Sequence, residues 1–90
     1  MDDYTPYYKH KIILTTQQEC GSRFGVGDIV YASIDNKVIK QFKITIIFII
    51  EDKLDIWYRL EPCQFLPESR VFKSVSKCRN NLIRRYNNGN

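Results

Sequence analysis

The side chains that could ligate a metal or act as nucleophiles are few and scattered in this sequence. The three cysteines, Cys20, Cys63 and Cys78, show no CxxC spacing, and an odd number leaves one unpaired in any internal disulfide scheme. His10 is the single histidine, and it cannot complete a zinc site with such dispersed cysteines unless distant ligands converge. We therefore predict reduced thiols, no metal and no cofactor.

No arrangement typical of catalysis is present either. Asp52 and Asp55 flank Lys53 in a predicted turn, where carboxylates usually favour solubility and turn formation. Cys63 and Cys78 have no neighbouring base in the sequence. The residues predict a protein that is not an enzyme.

The glycine-rich stretch "FGVGDIVYAS" over residues 24–33 could in principle cradle a phosphate. It leads into an alternating apolar run and lacks the helix start and the Lys-Ser/Thr of phosphate-binding loops. Gly25 and Gly27 tolerate positive φ, and Asp28 can accept hydrogen bonds from a tight turn. The pattern predicts a turn that starts a strand.

Positive charge is concentrated at the end of the chain. Residues 1–61 hold eight Lys/Arg and nine Asp/Glu, a net charge of −1. Residues 62–90 hold six Lys/Arg and one Asp/Glu, a net charge of +5, and the two segments sum to the net charge of +4. Such asymmetry points to an anionic partner. The six predicted contact residues are Arg70, Lys73, Lys77, Arg79, Arg84 and Arg85. The alternative is that these side chains only form the solvated face of a helix.

A second candidate binding element is the predicted strand "DIWYRLE" over residues 55–61. Trp57 and Arg59 could form an aromatic and cationic platform for a base or a peptide. Alternatively, Trp57 covers the edge of a barrel. Tyr4, Tyr7 and Tyr8 near the N-terminus could contact a partner or pack back on the domain.

Alternation and turn residues predict hairpin-linked strands. Strands are expected over residues 10–15, from Ile29, from Val38 and over 55–61. In the strand from Val38 the even-numbered residues should face inward; beyond Thr45 both faces are apolar, so the strand is either covered on both sides or bent there. Asp35-Asn36-Lys37 predicts the hairpin turn. Residues 16–23 are expected to form a loop, residues 62–67 an irregular connection, and residues 70–72 a closing edge strand.

Ser74 is a good N-cap for a helix over residues 75–86. Val75, Cys78, Leu82 and Tyr86 recur at intervals of three and four and should form its buried face. The predicted fold class is mainly β (α+β): a small antiparallel half-open barrel, SH3-like, of four to five strands with one C-terminal helix. The expected organisation is a flexible arm over residues 1–8, one domain over 9–86 and a disordered tail over 87–90.

The order "FGVGDIVYASIDNKVIK", "WYRLE", "FLPESRVFKS" resembles small SH3-like barrel proteins of phages and mobile elements over residues 24–82. Some proteins of this kind resemble inhibitors of RNA-guided immune nucleases. The family pattern has an acidic helix start, whereas Lys77 stands here where a capping-box Glu would lie. The resemblance implies the fold and an anti-CRISPR type of activity.

Together these features predict a non-enzymatic interaction module that binds and modulates a host protein or ribonucleoprotein with an anionic surface. Direct RNA or DNA binding is the first alternative. A structural or self-assembling role is the second, because the apolar run Ile44 to Ile50 could pair at an exposed edge. We expect no membrane span, a cytoplasmic location and a monomer.

Overall fold

A computed structural model describes residues 12–51 and 55–88 of the chain. The expected N-terminal arm with its three tyrosines, His10 and the turn residues 52–54 lie outside the described residues. The strands are β1 (Ile12–Thr15), β2 (Ile29–Ile34), β3 (Val38–Ile50), β4 (Asp55–Glu61) and β5 (Gln64–Pro67). The helices are α1 (Gln17–Cys20) and α2 (Val75–Asn88), with a 3-10 turn over Glu68–Arg70. The predicted fold class is confirmed: five antiparallel strands form a mainly β domain that is not a closed barrel, and α2 is C-terminal.

Strand β3 is the centre of the sheet. One of its edges pairs with β4, while the other pairs first with β2 and then with β1. Between these two partners, Ile44 exchanges backbone hydrogen bonds with Gly27 (2.8 Å) and Asp28 (3.0 Å). The run Ile44 to Ile50 is therefore not an exposed edge, and the premise for the self-assembly alternative was wrong.

Both predicted turns are confirmed. Gly27 has φ +95°, and the Gly25 amide donates to Asp28 Oδ2 at 2.9 Å, so this turn leads directly into β2. Asp35 and Asn36 have φ of +55° and +58°, and the Lys37 amide donates to the Ile34 carbonyl at 3.0 Å, so the turn lies where Ile34 pairs with Val38. These turns set the register of β2 on β3.

The alternation predicted for the first half of β3 is confirmed at Phe42 and Ile44, and beyond Thr45 buried residues lie on both faces, as one of the two expectations for this part had it. Phe42 and Ile44 are buried as expected, but the register shifts between Ile44 and Ile46 at a β-bulge. Beyond the bulge Ile47 is in the core at 1% exposure, while Ile46 is 37% exposed on the opposite face. One extra residue in a strand reverses the side-chain alternation, so Ile47 takes the core side in place of Ile46.

Three further predictions between the strands were wrong. The expected loop over residues 16–23 contains α1, which is capped by Thr16 and ended by Gly21 at φ +71°. The expected irregular connection after Pro62 contains β5, which pairs with β4. The expected edge strand 70–72 is the end of the 3-10 turn plus a single bridge, in which Phe72 and Tyr31 exchange backbone hydrogen bonds of 2.8 and 2.9 Å. This bridge brings the chain after β5 against β2.

Helix α2 begins as predicted, because the Lys77 amide donates to Ser74 Oγ at 3.2 Å. It continues two residues past the predicted end at Tyr86. The predicted buried face is right at Cys78 and wrong at Val75 and Tyr86, which are 39% and 73% exposed. The helix is rotated so that Arg85, half-buried, faces β2 instead.

Candidate interaction surfaces

The helix α2 presents two separate groups of cations. Lys77 and Arg84 are seven residues apart, about two turns, so they lie on one flank. Arg79 is two residues from Lys77, a rotation of about 200°, and therefore lies on the other flank. All three side chains are exposed. The predicted ridge of cations is thus divided between two flanks.

These three cations are not neutralised within the described part of the chain. No hydrogen bond or ion pair joins Lys77, Arg79 or Arg84 to a carboxylate there. Glu68 is the one acidic residue after position 61. Its Oε2 accepts from the Tyr58 hydroxyl and from the Arg23 amide, both at 2.7 Å. The nearest acid in the sequence is therefore engaged on another part of the fold.

Two apolar side chains that were not predicted as contact residues lie beside Arg79. Ile83 is 51% and Tyr86 is 73% exposed, and both follow Arg79 at helical spacing. We call Lys77, Arg79, Ile83, Arg84 and Tyr86 the α2 outer face. The sequence could have identified Ile83 as exposed, because it lies outside the predicted apolar face of the helix and must therefore face solvent.

Arg85, a predicted contact residue, holds α2 on the hairpin instead. Its Nη1 donates to Asn36 Oδ1 (2.8 Å), its Nη2 to Ser33 Oγ (3.3 Å) and its Nε to Asn81 Oδ1 (3.0 Å). These bonds join the C-terminal half of α2 to the β2–β3 turn. Arg85 is therefore a structural residue in the free protein.

The other two predicted cations are separated from the α2 outer face. Lys73 is exposed before the helix and lines a shallow depression with Arg23 and Asp28. Arg70 ends the 3-10 turn and is half-buried. The structure therefore does not bring all six predicted cations together.

Trp57 and Arg59 lie on the side of the sheet that faces away from the core. The Trp57 ring is half-buried and stacks on Phe48, with centroids 6.3 Å apart and an interplanar angle of 26°. Phe48 also meets Phe65 edge-on at 6.2 Å, and Arg59 Nη1 donates to Thr45 Oγ1 at 3.2 Å. Both predicted platform residues thus take part in the packing of the sheet itself.

The same side of the sheet carries an apolar groove of about 230 Å³. Its lining residues are Ile12, Leu14, Ile46, Phe48, Arg59 and Phe65. Leu14 is 70% and Phe65 is 45% exposed. We call these six residues with Trp57 the outer sheet face.

Two buried groups have raised pKa values. Burial raises the pKa of the Cys78 thiol, and the nearby Arg85 and Arg70 oppose this only in part. Burial and the hydrogen bond to Glu68 raise the pKa of Tyr58. Both groups are therefore neutral at pH 7. Cys20, Cys63 and Cys78 are free thiols.

No protein family, curated protein or solved structure matches this chain. In the described ranges 12–51 and 55–88, no group of three or more His, Cys, Asp or Glu could hold a metal ion. Neither helix found in those ranges has the length and apolar character needed to cross a membrane.

Proposed function

We propose that this protein is a non-enzymatic binding module whose α2 outer face docks on an acidic surface of a protein or ribonucleoprotein. The observation that carries the proposal is the group of cations Lys77, Arg79 and Arg84, which no described carboxylate neutralises. Ile83 and Tyr86 lie beside Arg79 on one flank of this face, and Lys77 and Arg84 lie on the other. Protein interfaces combine aromatic or aliphatic anchors with arginine, whereas nucleic-acid contacts depend chiefly on cations.

The resemblance to small phage barrel proteins narrows the proposal to one partner class. We take an RNA-guided defence nuclease with its bound guide as the partner, and inhibition of its activity as the outcome. The basic start of α2 supports this choice, because Lys77 lies at the helix N-terminus, where the macrodipole favours an acid. Because Lys77 does not stabilise the start of the helix, we assign it a role in binding a partner.

The test compares two triple charge reversals that change the net charge equally. The first is Lys77→Glu, Arg79→Glu, Arg84→Glu, and the control is Lys37→Glu, Lys40→Glu, Lys43→Glu on the exposed β2–β3 hairpin. Affinity is measured by biolayer interferometry against purified RNA-guided nuclease–guide complexes and against labelled RNA alone. At roughly 1 kcal/mol per contact, the first variant should lose about 100-fold in affinity for the complex, and the control should change little.

Three results would contradict the proposal. The first is an equal loss of affinity in the two triple variants, which would mean that net charge alone governs binding. The second is tight, salt-sensitive binding to free RNA that only the α2 variant loses, which would make the protein a nucleic-acid binder. The third is no binding by the unmodified protein. A single change, Ile83→Ser, should weaken only binding to protein, and Ile29→Ser is its matched control at 47% exposure.

A further inference from the structure

Arg70 is a half-buried guanidinium for which the described part of the chain provides no acceptor. Its Nε is shielded from solvent and has no hydrogen-bond partner, and its side chain donates no hydrogen bond to any described residue. A buried donor that stays unsatisfied destabilises the folded state, and more so when it carries charge. Buried polar groups in native proteins nearly always have a partner, so an acceptor is expected at this position.

The surroundings of Arg70 are cationic. Arg70 is two residues before Phe72, which pairs with Tyr31 of β2, and Ser33 is two residues further along that strand. Ser33 accepts from Arg85, whose guanidinium is held in place by three hydrogen bonds. Arg85 is close enough to lower the pKa of Arg70, after the larger effect of burial.

Within residues 12–51 and 55–88, no anion is placed to balance these two arginines. Among the described residues, no carboxylate acts electrostatically on Arg70. The one other ionisable group there is the Cys78 thiol, and its burial keeps it protonated at pH 7. Glu68 is committed to Tyr58 and to the Arg23 amide. A half-buried pair of like charges without a counter-ion is unfavourable, and a bound anion would remove this cost.

We infer that Arg70, with Arg85 beside it, forms a binding site for one phosphate-class oxyanion. The planar fork of Arg70 donates to two oxygens of the anion, as guanidinium groups do with phosphate. Arg85 contributes its charge while its nitrogens stay on Ser33, Asn36 and Asn81. The site is separate from the α2 outer face and does not depend on the proposed function.

The experiment uses the full chain and follows arginine Nε–H signals by NMR during titration with inorganic phosphate. Sodium chloride at matched ionic strength is the control. We expect a saturable shift of one Nε–H signal, assigned to Arg70 by its loss in Arg70→Lys. The Arg79→Lys variant keeps that shift. A parallel titration with uridine monophosphate asks whether the site takes free phosphate, giving equal affinity, or phosphate carried on a nucleoside, giving tighter binding.

Two outcomes would overturn the inference. One is a shift that follows ionic strength equally with phosphate and chloride. The other is a saturable shift that survives unchanged in Arg70→Lys. If Arg70→Lys does not fold, thermal unfolding of the unmodified protein decides the question. The site requires a rise in melting temperature that begins at low phosphate concentration, before the general stabilising effect of this anion sets in, and that chloride does not produce.

Discussion

The α2 outer face and the outer sheet face both contain residues selected from the sequence as binding residues, but the structure uses them differently. On the sheet, Trp57 stacks on Phe48 and Arg59 donates to Thr45. On the helix, Lys77 and Arg84 make no side-chain contact with a described carboxylate. The sequence predicted both groups as binding residues from residue type alone. In the fold, the sheet residues contact their neighbours and the helix cations do not contact a described carboxylate. The side chains that the fold leaves uncommitted are the better candidates for a partner.

The largest expected effect is on stability, and it distinguishes packed residues of the outer sheet face from exposed ones. Phe48 is 4% exposed, so Phe48→Ala should lower the free energy of unfolding by about 3–5 kcal/mol. Phe65→Ala, at a residue 45% exposed, should cost clearly less. Urea denaturation measures both. A nearly neutral Phe48→Ala would show that this face is not held together by its aromatic cluster.

The next effect separates two adjacent arginines. Arg85→Ala removes three hydrogen bonds and leaves the buried Ser33 hydroxyl without its donor, so it should cost about 1.5–3 kcal/mol of stability. Arg84→Ala should stay within about 0.5 kcal/mol, because its side chain is exposed. Thermal unfolding of the two variants gives the comparison. Equal losses would contradict the assignment of Arg85 as the structural residue.

A smaller effect comes from pH and tests the packing beneath α2. The folded pKa of Cys78 is raised, so its contribution to stability is complete below the unfolded thiol value of about 8.5 and is lost as pH rises through the folded value. The slope is at most about 1.4 kcal/mol per pH unit for this group. Unfolding free energies from pH 7 to 10 should fall, less steeply in Cys78→Ala. The exposed Cys63→Ser is the control and should retain the slope. Tyr58 acts in the same direction above about pH 10.

The smallest effect concerns the apolar groove. Leu14 is 70% exposed, so Leu14→Lys should change stability by no more than about 0.5 kcal/mol. Sedimentation velocity of this variant and the unmodified protein would show whether the groove drives self-association. A loss of more than about 2 kcal/mol in the free energy of unfolding would mean that Leu14 is packed in the fold. The groove would then be part of the packing and not an exposed surface like the α2 outer face.

Features that depend on a few neighbouring residues could be predicted from the sequence. Gly27, Asp35 and Asn36 determine their turns because few residues accept positive φ. Ser74 determines the start of α2 by accepting the Lys77 amide, and the alternation through Phe42 and Ile44 identifies the first half of β3. The fold class and the excess of cations near α2 follow from these local signals.

Features that depend on contacts between distant residues were decided by the tertiary structure. The bulge at Thr45 reversed the inward face of β3, and pairing with β4 made residues 64–67 a strand despite Pro67. The bonds from Arg85 to Asn36 and Ser33 rotated α2, so that Arg85 is structural while Arg84 is exposed. Adjacent arginines are equivalent in a charge count. Arg85 is a structural residue because it donates to Asn36, 49 residues earlier in the chain. Arg84 makes no such contact and can bind a partner.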